Sequence, residues 1–391
     1  MRSKKTIFVI GLFLMGLLKL VGCSSPSSNY NEDCYTDTVQ DNKKEAVLVY
    51  KNSMELQYAE NFEVDYYEGG YTILTTKLDK QRFLIVPENK EIPKDLDEDL
   101  IVLQRPLKDI YLVASAVMDM FSELEGLEAI TFSGQKEENW YVEKAKAAMA
   151  KGEILYAGKY SKPDYELLVS KGCSLAIENR MILHSPEVME KLQNFGIPVM
   201  IEYSSYESHP LGRVEWIKFF GALLDREEEA ERIFKEQAAI LERVAAEEKT
   251  NQTVAFFFIT SNRLVQVRQP SDYVPKMIEL AGGRYVFENL GDSEQKRSTV
   301  NMQMEEFYNG AKDADFLIYN SSIDGGVSCI EELLEKCEFL EDFKAVQEGM
   351  VWCTTNDMYQ QSLSIGYLIE DIHALLSGEG EDKMHYLFRL E

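Results

Sequence analysis

Histidine and cysteine are scarce in this chain of 391 residues, and the few present are scattered. His184, His209, His373 and His385 show no His-x-x-x-His spacing, and there is no Cys-x-x-Cys or mixed Cys/His cluster. No resident metal centre or cofactor is therefore expected. Apart from Cys23, the cysteines are Cys34, Cys173, Cys329, Cys337 and Cys353, an odd and sparse set that is no disulfide framework, although one bridge from Cys329 to Cys337 or Cys353 fits the spacing. Cations are also in short supply, with 41 Lys and Arg against 67 Asp and Glu and a net charge of -26. Without a basic stripe to neutralise phosphates, nucleic acid is excluded as a partner. An anionic ligand would have to be met by locally placed Arg or Lys against an unfavourable overall field. The sequence also lacks a nucleophile elbow, a His-Glu-x-x-His helix and a glycine-rich phosphate loop, so no catalytic residues and no enzyme activity are expected. Glu227 to Glu229 read as a solvated helix face, and only carboxylates remote in sequence keep a hydrolase as an alternative.

What is present begins at the N-terminus. Arg2, Lys4 and Lys5 precede an apolar run over 6–18, shorter than the about 20 residues that a spanning helix needs, so it reads as a signal peptide. Leu20-Val21-Gly22-Cys23 resembles the lipobox of bacterial lipoproteins, in which the cysteine is lipidated and opens the mature chain. The expectation is a lipoprotein signal peptide over 1–22, lipidation at Cys23 and an extracytoplasmic protein tethered to the bacterial membrane. Loss of Arg2, Lys4, Lys5 and Lys19, with no acidic residue among them, takes the net charge from -26 to -30. Residues 23–44 are rich in Ser, Asn, Asp and Lys and are expected to form a flexible tether.

From residue 45 the composition becomes that of a folded body, and its length suggests two domains. Short apolar runs at 47–50, 71–75, 83–86, 110–113, 130–132, 175–177 and 199–201 alternate with amphipathic stretches at 116–124, 141–151, 165–171 and 186–195. Strands alternating with helices predict an α/β lobe with a mainly parallel sheet over 45–208. The rhythm then breaks. Residues 211–248 contain no proline, and their apolar positions recur at helical spacing, giving one long helix, or two with a break near Leu224-Asp225, as a connection over 209–249. Alternation resumes with runs at 254–259, 316–319 and 351–353 and a helix at 273–281, for a second Rossmann-like lobe over 250–391.

The two lobes share a unit. Asp164-Tyr165-Glu166-Leu167-Leu168 leads through Lys171-Gly172-Cys173-Ser174 into Leu175-Ala176-Ile177, and Met304-Glu305-Glu306-Phe307-Tyr308 leads through Asp313-Ala314-Asp315 into Phe316-Leu317-Ile318. Each places glutamate at the start of a short helix that feeds a buried strand, and stabilising the N-terminal dipole is the plain structural role for it. The unit resembles the repeated helix and strand signature of the class III substrate-binding proteins of ABC transporters, the metal-chelate group that delivers ferric siderophores, haem or cobalamin. Residues 211–221 resemble the start of that group's backbone helix, and Glu279-Leu280-Ala281-Gly282-Gly283 resembles the helix and glycine turn of its second lobe. Cys173-Ser174 stands where the group usually has Pro-Asp. The resemblance implies capture without chemistry of an iron chelate or related metal complex as cargo. It also implies a permease dimer with its ATPase subunits as partner, docked by Glu166 and by either Glu305 or Glu306.

In a two-lobed α/β protein a ligand lies between the lobes, at the carboxyl ends of strands. The loops there supply Ser115, Trp140, Tyr141 and Arg180 in the first lobe and Arg268, Tyr273, Asn320, Tyr359 and Gln360 in the second, with 203–209 as a polar strip at the hinge. Arginine and aromatic rings suit a large planar or chelated anion, with Arg180 and Arg268 as the preferred anion contacts. With 21 tyrosines in the chain, most are core or rim residues. A surface adhesin or structural lipoprotein would lack such a cavity.

Overall fold

The computed structural model describes residues 47–391, apart from 292–297 and 324–325. The signal peptide, Cys23, Cys34 and the tether therefore lie outside the described residues.

The first departure from expectation is a separate N-terminal sheet. Strands β1 (Tyr50–Ser53), β2 (Phe62–Tyr67), β3 (Thr72–Thr76) and β4 (Gln81–Val86) pair antiparallel in sequence order, and only β5 (Leu100–Gln104) joins parallel, to β4. The runs at 71–75 and 83–86 thus belong to a meander and not to a parallel lobe, and of the run at 47–50 only Tyr50 lies in a strand. Its turns are local: Gly69 and Gly70, at φ 82 and 87, take left-handed backbone between β2 and β3 at no steric cost to a side chain. One face of β2 is buried, where Phe62 and Val64 alternate with exposed or half-buried residues.

The first α/β lobe follows. It contains β6 (Ile110–Leu112), α1 (Ser115–Glu123), β7 (Ile130–Ser133), α2 (Glu143–Ala150), β8 (Leu155–Tyr156), the small hairpin β9 (Gly158–Lys159) and β10 (Lys162–Pro163), α3 (Tyr165–Ser170), β11 (Leu175–Asn179), α4 (Pro186–Asn194) and β12 (Val199–Glu202). Its sheet runs β12-β11-β6-β7-β8 with every pair parallel. Helices cover both faces, so β6 and β12 are buried throughout, as their apolar runs require.

The connection is a helical hairpin. α5 (Pro210–Leu224) and α6 (Glu227–Ala245) are separated at Asp225, whose φ of 65 is left-handed and ends α5. The break near Leu224-Asp225 is thus present, and the segment is not one rod. Gly221 lets the two helices close at the turn, since a Cβ there would lie 2.6 Å from the Cβ of Ala230. Nearly every residue of α5 is buried.

The second lobe comprises β13 (Thr253–Ile259), β14 (Val265–Arg268), α7 (Tyr273–Leu280), β15 (Arg284–Tyr285), β16 (Thr299–Met302), α8 (Met304–Ala311), β17 (Phe316–Tyr319), α9 (Ile330–Lys336), α10 (Lys344–Gln347), β18 (Val351–Thr354), α11 (Ile365–Ser377) and β19 (Leu387–Arg389). The sheet order is β16-β14-β13-β17-β18-β19, with β15 also on β13. β15, β13, β17 and β18 are parallel, while β14, β16 and β19 join antiparallel. The described residues form one compact unit with a large continuous apolar core and a small second cluster of Tyr71, Ile73, Leu84, Val86 and Leu100 in the N-terminal sheet. Among the described residues, Cys173, Cys329, Cys337 and Cys353 form no disulfide, so the bridge considered from spacing is not made. Among the described residues, no helix is long and apolar enough to cross a membrane.

Candidate ligand-binding site

The strand order of the first lobe fixes where a crevice opens. From β6 the chain moves to β7 on one side, whereas β11 lies on the other, so the carboxyl ends of β6 and β11 diverge. Ser115 and Ala116 follow β6, and Asn179 and Arg180 end β11. All four line a cavity of about 750 Å³ between the lobes. The start of α1 opens on the same space, so its free amides favour a negative ligand. The opposite wall comes from Gln266 and Arg268 of β14, Thr299 of β16, Asp272 and Tyr273 at the start of α7, and Tyr359.

Three guanidinium groups from three elements meet this cavity. Arg180 stacks over the Tyr206 ring at 4.4 Å, and Arg213 of α5 stacks over the Tyr273 ring at 3.9 Å. Such a contact contributes about 0.5–1 kcal/mol at the half-buried Arg180 and about 2 kcal/mol at the buried Arg213. Arg268 donates to the Tyr359 hydroxyl, and its Nη1 lies 3.7 Å from Asp272 Oδ2. Its backbone is pinned as well, because Arg268 N donates to Tyr285 Oη at 3.0 Å and Tyr285 Oη donates to Arg268 O at 2.9 Å. Among the described residues, no carboxylate lies within ion-pair distance of Arg180 or Arg213, and Nε of the buried Arg213 has no hydrogen-bond partner. Both guanidinium groups line the cavity, and among the described residues neither is neutralised by a carboxylate at contact distance.

Two buried carboxylates temper the charge. Burial pushes the Glu202 carboxyl above its ordinary range, against the hydrogen bond from Ser204 and the charge of Arg213, which pull it down. Asp272 is likewise raised by burial, opposed by Arg268, by the Val274 amide that it caps at 3.0 Å, and by Arg213. Arg213 thus feels the field of an acid of the first lobe and an acid of the second without contacting either.

The candidates read from sequence are distributed as follows. Ser115, Arg180, Arg268, Tyr273 and Tyr359 lie together on the cavity wall, as do Ser205 and Tyr206 of the polar strip. Trp140 does not face the cavity: it is 1% exposed, and its Nε1 donates to Ser133 Oγ at 3.0 Å inside the first lobe. Tyr141 and Gln360 are also off the wall. Tyr141 N donates to Gln360 Oε1 at 2.9 Å, which ties one lobe to the other. Asn320 is buried behind the site, and its Nδ2 donates to Tyr359 Oη at 2.8 Å, steadying the ring that receives Arg268. Arg213, Glu202, Asp272 and Gln266 were not foreseen. A signal for Arg213 exists in the sequence, since it is one of three charged residues, with Glu215 and Lys218, in the otherwise apolar stretch from Leu211 to Phe220, where charges on a buried helix call for a specific role.

Glu166, Glu305 and Glu306 are exposed in the first turns of α3 and α8. The capping role on α3 belongs to Asp164, which accepts from Leu167 N at 3.0 Å, and among the described residues none of the three glutamates has a hydrogen bond or ion pair. Each helix runs back over the strand that follows it, so its N-terminus lies at that strand's carboxyl end, the end on which the first lobe opens to the cavity.

No family model matches the chain. It is 26% identical over 356 residues to an uncharacterized lipoprotein of Methanocaldococcus jannaschii, covering 83% of this chain and 82% of that one. A second uncharacterized lipoprotein of the same organism is 25% identical over 406 residues, covering 99% and 100%. Among solved structures, a petrobactin-binding protein of Bacillus subtilis superposes with a TM-score of 0.58 at 13% identity, over 78% of this chain and 98% of that one. A periplasmic haem-binding protein of Pseudomonas aeruginosa gives 0.54 at 12% identity, over 72% and 95%. The chain has the two-lobed α/β fold of the class III periplasmic substrate-binding proteins.

Proposed function

We propose that this protein is an extracytoplasmic, lipid-anchored substrate-binding protein of an ABC importer. It captures an anionic metal chelate, such as a ferric siderophore or haem, between its lobes and delivers it to a permease dimer served by ATPase subunits. The observation that carries this reading is the convergence of Arg180, Arg213 and Arg268 on one interlobe cavity in a chain of net charge -26. Guanidinium forks bind carboxylate or catecholate oxygens bidentately, while Tyr206, Tyr273 and Tyr359 supply aromatic surface at little entropic cost. Capture requires no bond to be made or broken, and among the described residues no hydroxyl of the cavity wall is hydrogen-bonded to His184, the histidine on that wall. The lipobox at Leu20 to Cys23 and the lipoprotein relatives support the anchored, extracytoplasmic placement.

The test is a calorimetric titration of the purified protein with haemin, hydroxamate and catecholate siderophores with and without iron, and cobalamin. Heat is the suitable readout, because Trp140, Trp216 and Trp352 are all buried off the cavity wall. One class should bind saturably, and Arg268→Ala should weaken it by about 2 kcal/mol, the loss of a charge-assisted contact. Silence across the whole panel from a folded protein would remove the chelate reading and favour an adhesin or structural lipoprotein.

A further inference from the structure

The chain between β18 and α11 leaves its own lobe. Gln360 Nε2 donates to Asn139 O at 2.7 Å and Gln360 Oε1 accepts from Tyr141 N at 2.9 Å. Two residues on, Ser362 Oγ donates to Ala116 O at 2.7 Å, and Leu363 N donates to Asp119 Oδ2 at 3.0 Å. These four bonds all reach the first lobe, and Ser362, Leu363 and Asp119 are buried. On the second-lobe side the segment is braced by Gln361, whose Nε2 donates to Asp357 Oδ2 at 2.7 Å and whose Oε1 accepts from Tyr386 Oη at 2.6 Å. Tyr359, in the same segment, is the cavity residue that receives Arg268.

We propose that residues 357–364 form an interlobe latch that sets the gap between the lobes, and that Asp119 makes this latch sensitive to pH. The latch itself needs no cargo; its coupling to cargo through Tyr359 rests on the reading of the cavity given above. Asp119 is the single carboxylate among its four bonds to the first lobe. It is raised to about 7, chiefly by burial and in smaller part by Glu123 of its own helix and Asp357 of the latch, against the Leu363 amide and Lys144 of α2, which lower it. Tyr386 also faces it. When the latch parts, water reaches Asp119 and its carboxyl returns toward the ordinary value of about 3.9. The latched state therefore holds the proton more tightly. It is favoured at low pH and weakens as pH rises from the ordinary carboxylate range through about 7.

Amide hydrogen exchange on the ligand-free full chain tests this. After correction for intrinsic rates, protection of the Leu363 amide should fall at least about tenfold between about pH 5.5 and about pH 8. Asp119→Asn, which keeps an acceptor for Leu363, should abolish that fall. Gln360→Ala, which removes two bonds without touching Asp119, should lower Leu363 protection at both pH values while the melting temperature holds. Protection that is independent of pH in the unaltered chain, or the same fall in Asp119→Asn, would overturn the proposal. Because no ligand is used, failure here leaves the cavity reading standing, and a silent titration leaves the latch standing.

Discussion

Two buried glutamates on and beside α5 show how single residues set this architecture. Glu215, fully buried, accepts from the amides of Gln57, Tyr58 and Ala59 at 2.8 to 3.1 Å, and Lys218 donates to it at 3.1 Å. Glu207 accepts from Glu60 N at 2.8 Å, Asn61 N at 3.0 Å and Trp216 Nε1 at 2.9 Å. Five consecutive amides are thus satisfied by side chains of the connection, which clamps the N-terminal sheet to the helix that carries Arg213. Gly212 permits the approach, since a Cβ there would meet Tyr58 O at 3.0 Å. Glu215→Gln turns a donor toward donors and leaves Lys218 with only Glu231. It should cost about 3 kcal/mol, read as a lower midpoint in urea unfolding. None of this pairing was legible in the sequence, because Glu207 and Glu215 look like any other members of an acidic composition until the chain at 57–61 is brought to them.

At the level of elements, legibility followed burial. β11, β12, β13, β17 and β18 are buried on both faces, even though β12 lies at the edge of its sheet, and their apolar runs announced them. β2 is half-buried, and the polar residues within Phe62 to Tyr67 conceal it, so sequence periodicity does not separate the meander from the parallel lobe. The repeated unit of short helix and following strand is present as α3 with β11 and α8 with β17. Its exposed glutamates give the element-scale prediction. With Asp164 capping α3, charge reversal of Glu166 and Glu305 should abolish uptake of the cargo by cells while the purified protein keeps its affinity. A loss of affinity would remove the docking assignment, and if uptake survives reversal at Glu305 alone, Glu306 carries the second contact.

Over the whole molecule, the cavity was legible where a strand end could be located and illegible where the chain wraps. Arg180 and Arg268 sit at or just beyond the ends of β11 and β14, and Tyr273 begins α7, so strand placement alone brought them to the cleft. Trp140 lies in a loop that folds inward, and Gln360 in the segment that crosses to the first lobe. Neither path is written in local periodicity. On the proposed function, the lobes, the helical hairpin between them and the latch work as one device for holding an anionic chelate against three arginines. The direct measurement is anomalous diffraction at the iron edge from crystals soaked with whichever ferric chelate the titration selects. A single iron peak in the cavity, with chelate oxygens on Arg180, Arg213 and Arg268, is the predicted result. Iron outside that cavity, or a chelate there that touches none of the three guanidinium groups, would contradict it.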